Sequence, residues 1–273
     1  MILVCLVLAM ILSVTAFAQR RRRGGGFDLS DPSARNGVPR WDIDSEFSDD
    51  VFTFARLRYN DYRGSWKWTI DFPDSDLNFS LRLQQLTSLK VNPDPVIVDL
   101  YSDRIFDYPF VYMIEPGLLS FDESEIARLR RYCLNGGFLM VDDFWGDSEY
   151  DNFEREIRRV FPDRQIIDVP LKHEIFHSVY DLKERPQVPS INAAEMGREQ
   201  GITWERPWDG DTQEVHYRAI LDDDERIMVF ICHNTDLGDG WEREGENEWY
   251  FDEYSVKKSY PMGINIVVYA MTH

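Results

Sequence analysis

The sequence predicts an α/β fold, a doubly wound and mostly parallel sheet with an antiparallel hairpin near the C-terminus. Three observations carry that expectation. Residues 110–114 and 138–141 are continuous apolar runs of strand length, as expected of strands covered on both faces. The stretches between such runs show helical spacing of apolar residues, which is the alternation of a parallel-centred sheet. Late in the chain, two further runs over 215–221 and 227–232 flank Asp222-Asp223-Asp224, the signature of a hairpin.

Taken in order, the first element is a strand-like run over 52–59. Residues 76–89 read as a helix, although their leucine spacing also permits alternation, and 96–100 form a short apolar strand. After the strand at 110–114, Ser120 and Glu123 read as a capping box. Ile126, Leu129 and Cys133 then recur at helical spacing until Asn135-Gly136-Gly137 stops the helix. With the strand at 138–141 this makes a βαβ unit, whose crossover is expected to be right-handed. Ser148 with Asp151 reads as the cap of another helix, carrying Phe153, Ile157 and Val160 on one face and ended by Phe161-Pro162-Asp163. Residues 165–169 form a strand, and 184–212, rich in Pro, Gly, Glu and Asn, a long excursion. The chain closes with Pro261 as the first residue of a helix whose buried stripe is Ile264, Val267, Val268 and Met271. No internal repeat is visible.

The domain organisation follows from composition. Residues 1–18 read as a signal peptide, almost wholly apolar from 2 to 17 and ending in Ala16-Phe17-Ala18, the small-x-small form that signal peptidase reads. Cleavage before Gln19 would leave an exported protein, periplasmic or secreted. The n-region lacks Lys and Arg, and four arginines at 20–23 follow the apolar run. An uncleaved segment of that kind would instead anchor the domain in the cytoplasm by the positive-inside rule. The cleavage pattern decides for export. Residues 19–50 form a flexible Arg/Gly-rich leader and 51–273 a single α/β domain. No other stretch is long enough to span a bilayer.

The acidic balance, 30 basic against 49 acidic residues for a net charge of −19, makes nucleic acid and anionic lipid poor partners. Outside the signal, Cys133 and Cys232 are the only cysteines. One ends a helix and the other an apolar strand, so both are expected to be buried thiols.

In a doubly wound sheet, ligands bind beyond the carboxyl ends of the strands. Three predicted strand ends carry polar clusters: Asp142-Asp143-Phe144-Trp145 after Val141, His173 to His177 after Val169, and His233-Asn234-Thr235-Asp236 through Trp241 and Glu242 after Cys232. Together they would furnish carboxylates and imidazoles for a divalent metal or for proton transfer, and tryptophans for stacking on sugars or other rings. The candidate ligand-binding residues are Asp142, Asp143, Trp145, His173, His177, Asn234, Asp236 and Trp241. His173, His177 and Asp142 form a candidate metal set.

His173-Glu174-Ile175-Phe176-His177 matches H-E-x-x-H, in which two histidines one helical turn apart hold zinc and the glutamate acts as base. Pro170 could open such a helix. A third ligand is wanting, because Glu195 and Glu199 lie in a Pro- and Gly-rich stretch, so the motif reads as a coincidence and other metal binding by these histidines stays open. The run from Asn234 to Glu242 fails as an EF-hand, with Asp239 where glycine is required, but leaves a nonstandard calcium site using Asp236 and Asp239 open. Cys232 and His233 are adjacent on a strand and face opposite ways, so they make no nucleophile pair.

Several motifs occurring in order carry a resemblance. They are the run over 52–59, Tyr108-Pro109-Phe110, the run over 136–146, Gln187-Val188-Pro189-Ser190-Ile191, the run over 234–242 and the C-terminal stretch over 263–273. Over about residues 50–273 the chain resembles the bacterial domain-of-unknown-function family 4159. The resemblance implies a flavodoxin-like, class I glutamine amidotransferase-like fold and no established activity. An amidotransferase carries a cysteine nucleophile at a strand-to-helix elbow. Here the corresponding strand runs into Asp142-Asp143-Phe144-Trp145, which excludes that route. The family's form has proline after the first histidine where this chain has Glu174, which further weakens the zinc-protease reading.

Two functions are therefore expected from the sequence. One is an exported domain that binds a small or glycan-like ligand in the crevice at the strand ends. The other is a metal-assisted hydrolase in which His173, His177 and Asp142 hold an ion and Asp143 or Glu174 acts as base.

Overall fold

A computed structural model of the chain describes residues 29–43, 45–47 and 50–273. The expected signal peptide and the beginning of the leader lie outside the described residues. The described residues fall into two units, one ending at Asn36 and the other running from Gly37 to His273. In the first, a 3₁₀ turn at Pro32–Arg35 is capped by the Asp31 carboxylate, which accepts from Ser33 N at 2.9 Å.

The second unit is built on a seven-stranded mixed sheet. Its strands are β1 (Ala55–Arg58), β2 (Val96–Asp99), β3 (Phe110–Ile114), β4 (Phe138–Asp142), β5 (Ile167–Asp168), β6 (His216–Leu221) and β7 (Ile227–His233). The spatial order is β2-β1-β3-β4-β7-β6-β5. Neighbours from β2 to β7 pair in parallel, while β6 pairs antiparallel with both β7 and β5. The hairpin at 222–226 is thus where the sequence places it, and β5 shrinks to two residues at the edge.

The order reverses at β1: the chain moves outward to β2 and then returns past β1 to β3. At such a switch point the connections on either side diverge and leave a crevice at the strand ends. Strand alternation divides the core. Phe110, Tyr112, Ile114, Phe138 and Met140 face one layer, and Val111, Met113, Leu139 and Val141 the other. The first layer holds helix α1 (Asp74–Leu86) and the C-terminal helix. The second holds α2 (Glu123–Leu134) and α3 (Gly146–Val160).

Helix starts differ from the sequence reading in instructive ways. The capping box of α2 is Asp122 with Glu125, two residues later than Ser120 and Glu123, because Asp122 is the residue in extended conformation ahead of the first helical turn. Helix α3 starts at Gly146, not at Ser148. Its first amides are satisfied from outside the helix: Gly146 N donates to Asn234 Oδ1 at 2.9 Å and Asp147 N to the Asp209 carbonyl at 2.9 Å. The excursion over 184–212 contains one short helix, α4 (Ile191–Gly197). Helix α5 (Leu237–Glu242) follows β7, and α6 (Glu248–Tyr250) runs through a π-helical segment, Phe251–Ser259, into α7 (Tyr260–Thr272). Proline lies in the first turn of α7, as expected, and Ile264 and Val267 are fully buried while Val268 and Met271 are partly so.

Cys133 and Cys232 are free and buried. No described helix is long and apolar enough to cross a membrane.

Candidate functional site

The crevice at the switch point is assembled from the ends of β1, β3, β4 and β7. The β1 contribution begins inside the core. Arg56 is fully buried, and its guanidinium pairs with Asp76, with Nε to Oδ2 at 2.9 Å. It also donates to the carbonyls of Trp68 at 3.2 Å and Ile70 at 2.8 Å and to Ser75 Oγ at 2.8 Å, and lies over the Tyr112 ring at 5.1 Å. A buried arginine of this kind fixes the β1–α1 connection from below and delivers Asp71, the next residue after Ile70, to the strand ends.

The other strands end alike. β3 is followed by Glu115, β4 by Asp143, and β7 by Asn234, and all three take the left-handed conformation with φ of 49°, 54° and 60°. Asp71 does the same at 60°. Such a conformation is costly for a residue with a β-carbon, on the order of 1–3 kcal/mol, and gathers where geometry serves a site. Asp143 N donates to the Thr235 carbonyl at 3.2 Å and Asn234 N to that of Phe144 at 3.0 Å, so β4 and β7 stay stitched together beyond the sheet. Asp236 then caps α5, accepting from Asp239 N at 2.7 Å.

This construction brings Asp71, Asp143 and Asp236 together, with one carboxylate oxygen of each lying within 4.8 Å of the others. Asp71, Asp239 and Glu242 form a second group of the same kind, sharing Asp71. The two groups differ in charge compensation. Arg243 Nε sits 3.1 Å from Asp239 and 2.8 Å from Glu242. Asp239 also accepts from Ile191 N at 2.6 Å and from the Tyr250 hydroxyl at 3.2 Å. Among the described residues, no Lys or Arg pairs with Asp71, Asp143 or Asp236. Asp71 Oδ2 is buried and accepts no hydrogen bond from the protein. Gly238 makes room for it, since a β-carbon there would lie 2.8 Å from both Asp71 Oδ2 and the Tyr112 hydroxyl.

The electrostatic consequence is shared by the group. Burial, reinforced by the neighbouring carboxylates, holds Asp71, Asp143 and Asp236 well above the usual carboxylate range. Asp142, at the end of β4, is fully buried beneath them. Its Oδ2 accepts from the Tyr112 hydroxyl at 2.9 Å and Gly238 N at 3.1 Å, while Oδ1 has no partner. Burial pushes Asp142 up to about 7. The crevice offers no anion cradle, because the first amides of α3 already donate to Asn234 and Asp209 and Trp145 N donates to Glu149.

Of the residues expected from sequence, the structure gathers Asp142, Asp143 and Asp236. Asn234 is adjacent but serves as a clamp, its amide nitrogen donating to the carbonyls of Asp211 and Glu214 at 2.9 and 2.8 Å. Trp145 and Trp241 are 1% and 0% exposed, and Trp241 is wedged among Phe54, Phe79 and Tyr112, so neither offers a stacking face.

The histidines lie elsewhere. After β5 the chain turns back across the sheet beside α7, carrying His173 to the edge where the hairpin lies. There it lines a cleft of about 550 Å³ with Asp222, Arg226 and Tyr269. His173 and Asp142 are therefore at opposite ends of the strands, and the set His173, His177 and Asp142 does not converge. Nor does the motif form the α-helix it requires: Glu174–Phe176 is a single 3₁₀ turn with the two histidines as its caps. His177 bonds to Asp181 and to the Leu171 carbonyl, at 2.7 and 2.8 Å. His233 is buried against Phe144 and Tyr150, with Nε2 donating to the Gly146 carbonyl at 3.1 Å, and burial lowers it to about 3. Cys232 points into the opposite layer, and burial holds its thiol well above the ordinary range.

Sequence reasoning missed Asp71 and gave Glu242 no role. Asp71 lies in a connection of short turns, thirteen residues past the end of β1, and only knowledge of the strand order places it beside Asp143. Residues 53–271 match the family model described as "Domain of unknown function (DUF4159)". No curated protein matches the chain.

Proposed function

The chain belongs to the family that this match defines, and for it we propose a divalent-cation-dependent binding domain whose ion sits between Asp71, Asp143 and Asp236. The observation that carries the reading is the convergence of three carboxylates without a basic partner, one of which buries an oxygen with nothing to accept from. Buried negative charge without an ion-pair partner is expensive, and a hard cation with oxygen ligands is the chemistry that relieves it. The second group already has Arg243 against two of its carboxylates, which favours one ion over two.

The exported location expected from the leader fits calcium, for which extracellular modules have dissociation constants on the order of 10⁻⁴–10⁻³ M. An ion held by protein oxygens on one side keeps coordination positions for a small ligand on the other. The set His173, His177 and Asp142 on which the hydrolase alternative was built does not converge, and this supports the binding reading.

Calorimetric titration of the mature protein with calcium, and separately with magnesium, tests the proposal. One ion per chain is expected, with binding weakened roughly a hundredfold or more in Asp236→Asn, as for loss of a directly coordinating charge. Protons are released on binding, because the raised carboxylates must ionise. Failure of both ions to bind the wild-type chain would sink the reading.

A further inference from the structure

We propose that the ligand of this crevice is a neutral carbohydrate, stacked on Trp66 and Trp208 with its hydroxyl groups reaching the ion. The inference rests on the cation reading for the hydroxyl contacts, and on independent observations for the stacking.

The chain has eight tryptophans, and only Trp66 and Trp208 are exposed, at 54% and 81%. Trp66 lies in the β1–α1 connection, five positions before Asp71 and directly before Lys67, which pairs with Glu115 at the end of β3. Trp208 lies in the turn at 206–209 of the long excursion, two positions after Arg206, which pairs with Glu149 in the first turn of α3. The two pairs neighbour each other: Glu149 helps raise Glu115, whose shift is led by burial, and Glu115 in turn raises Arg206. Glu149 also packs against Gly117, just past Glu115. The two loops therefore meet over the ends of β3 and β4.

Neither turn is loosely placed. Trp66 has left-handed backbone, φ 60°, in a turn whose amides at Arg63, Ser65 and Trp66 donate to the Asp61 carboxylate at 2.9, 2.9 and 3.1 Å. Trp208 sits in a turn closed by Asp209 N donating to the Arg206 carbonyl at 3.0 Å, again with left-handed backbone at Arg206. Asp209 accepts from Asp147 N at 2.9 Å and pins the turn to α3. Two large aromatics exposed on braced, strained turns, beside a carboxylate crevice, form a recognition surface rather than a leftover of packing.

The ligand chemistry follows from the surroundings. Charged residues flank both tryptophans, Lys67 beside Trp66 and Arg206 and Asp209 beside Trp208, which suits the apolar face of a sugar ring with hydroxyls at its rim better than a broad apolar protein surface. The net charge of −19 disfavours an anionic polymer. Vicinal hydroxyls supply the oxygen ligands that a hard cation accepts beyond its protein carboxylates.

The test is titration of the mature protein in calcium with neutral hexasaccharides of glucose, mannose, galactose and N-acetylglucosamine. Wild type, Trp66→Ala, Trp208→Ala and Asp71→Asn are compared, each with calcium affinity measured alongside. At least one sugar is expected to bind wild type, roughly tenfold more weakly in each tryptophan variant, with calcium affinity unchanged in both. Asp71→Asn is expected to lose ion and sugar together. Calcium binding without any sugar binding overturns this inference and leaves the cation site standing, as does sugar binding that ignores both tryptophans. Sugar binding that survives chelation and Asp71→Asn but falls in the tryptophan variants overturns the cation reading and keeps the stacking surface.

Discussion

At the hairpin edge of the sheet, Arg226 pairs with Asp222 at 2.9 Å, His273 with Glu174 at 3.2 Å, and His177 with Asp181 at 2.7 Å. At the carboxyl edge, at the other end of β7, Asp71, Asp143 and Asp236 face one another with no Lys or Arg paired to them among the described residues. The first edge holds the recognisable sequence motif, and its charges are satisfied by the protein itself. The second holds no familiar motif, and its charges and backbone are arranged at a cost that the fold alone does not recover. A motif marks residue types, whereas a functional site is marked by polar groups that the protein leaves unsatisfied.

The largest expected effect comes from removing the brace beneath the carboxyl edge. Arg56→Met strands Asp76 in the core and releases the carbonyls of Trp68 and Ile70, which is expected to cost about 3–5 kcal/mol in chemical denaturation. Next is the narrowing of the crevice. Gly238→Ala places a methyl group against Asp71 Oδ2 and the Tyr112 hydroxyl, and is expected to weaken calcium binding roughly tenfold or more with the fold retained by circular dichroism.

The pH dependence comes third and has a definite sign. Asp142 is raised in the folded state to about 7, so the fold favours its protonated form. That contribution is complete below the unfolded carboxylate value of about 4 and is lost as pH rises through about 7. In a chelator, stability should therefore fall between about pH 5 and pH 8, and calcium should restore more stability at the upper end, where the carboxylates above Asp142 are ionised. Thermal denaturation across that range checks it, and a calcium effect larger at the acid end would contradict it. The smallest effect is expected at the hairpin edge, where His177→Ala should leave calcium affinity unchanged, and a loss there would restore the histidines to the site.

The comparison also explains what the sequence disclosed. β3 and β4 are plain in it because a strand covered on both faces must be apolar throughout, and their ends led directly to Asp142 and Asp143. The hairpin led to Asp236 in the same way. Asp71 was hidden because its position depends on the crossover at β1, a property of strand order that local pattern does not carry. The rule that strand ends share one edge failed at His173, since the chain leaves β5 and runs back beside α7 before the motif begins. Trp145 and Trp241 were read as stacking surfaces from their place after strands, yet a large apolar side chain at a closed strand end is packed beneath the loops. The exposed indoles, Trp66 and Trp208, lie in polar turns that show no periodicity.

The central claim is that Asp71 is held in a state unfavourable to the ion-free fold for the sake of a cation, and one measurement addresses it directly. It is the melting temperature of wild type and Asp71→Asn, each in chelator and in saturating calcium. In chelator, Asp71→Asn should melt above wild type, by about 2–4 °C for each kcal/mol of repulsion relieved, and calcium should stabilise wild type alone. An Asp71→Asn protein that melts below wild type in chelator, with both proteins indifferent to calcium, would show that Asp71 is a structural carboxylate and that the crevice holds no ion.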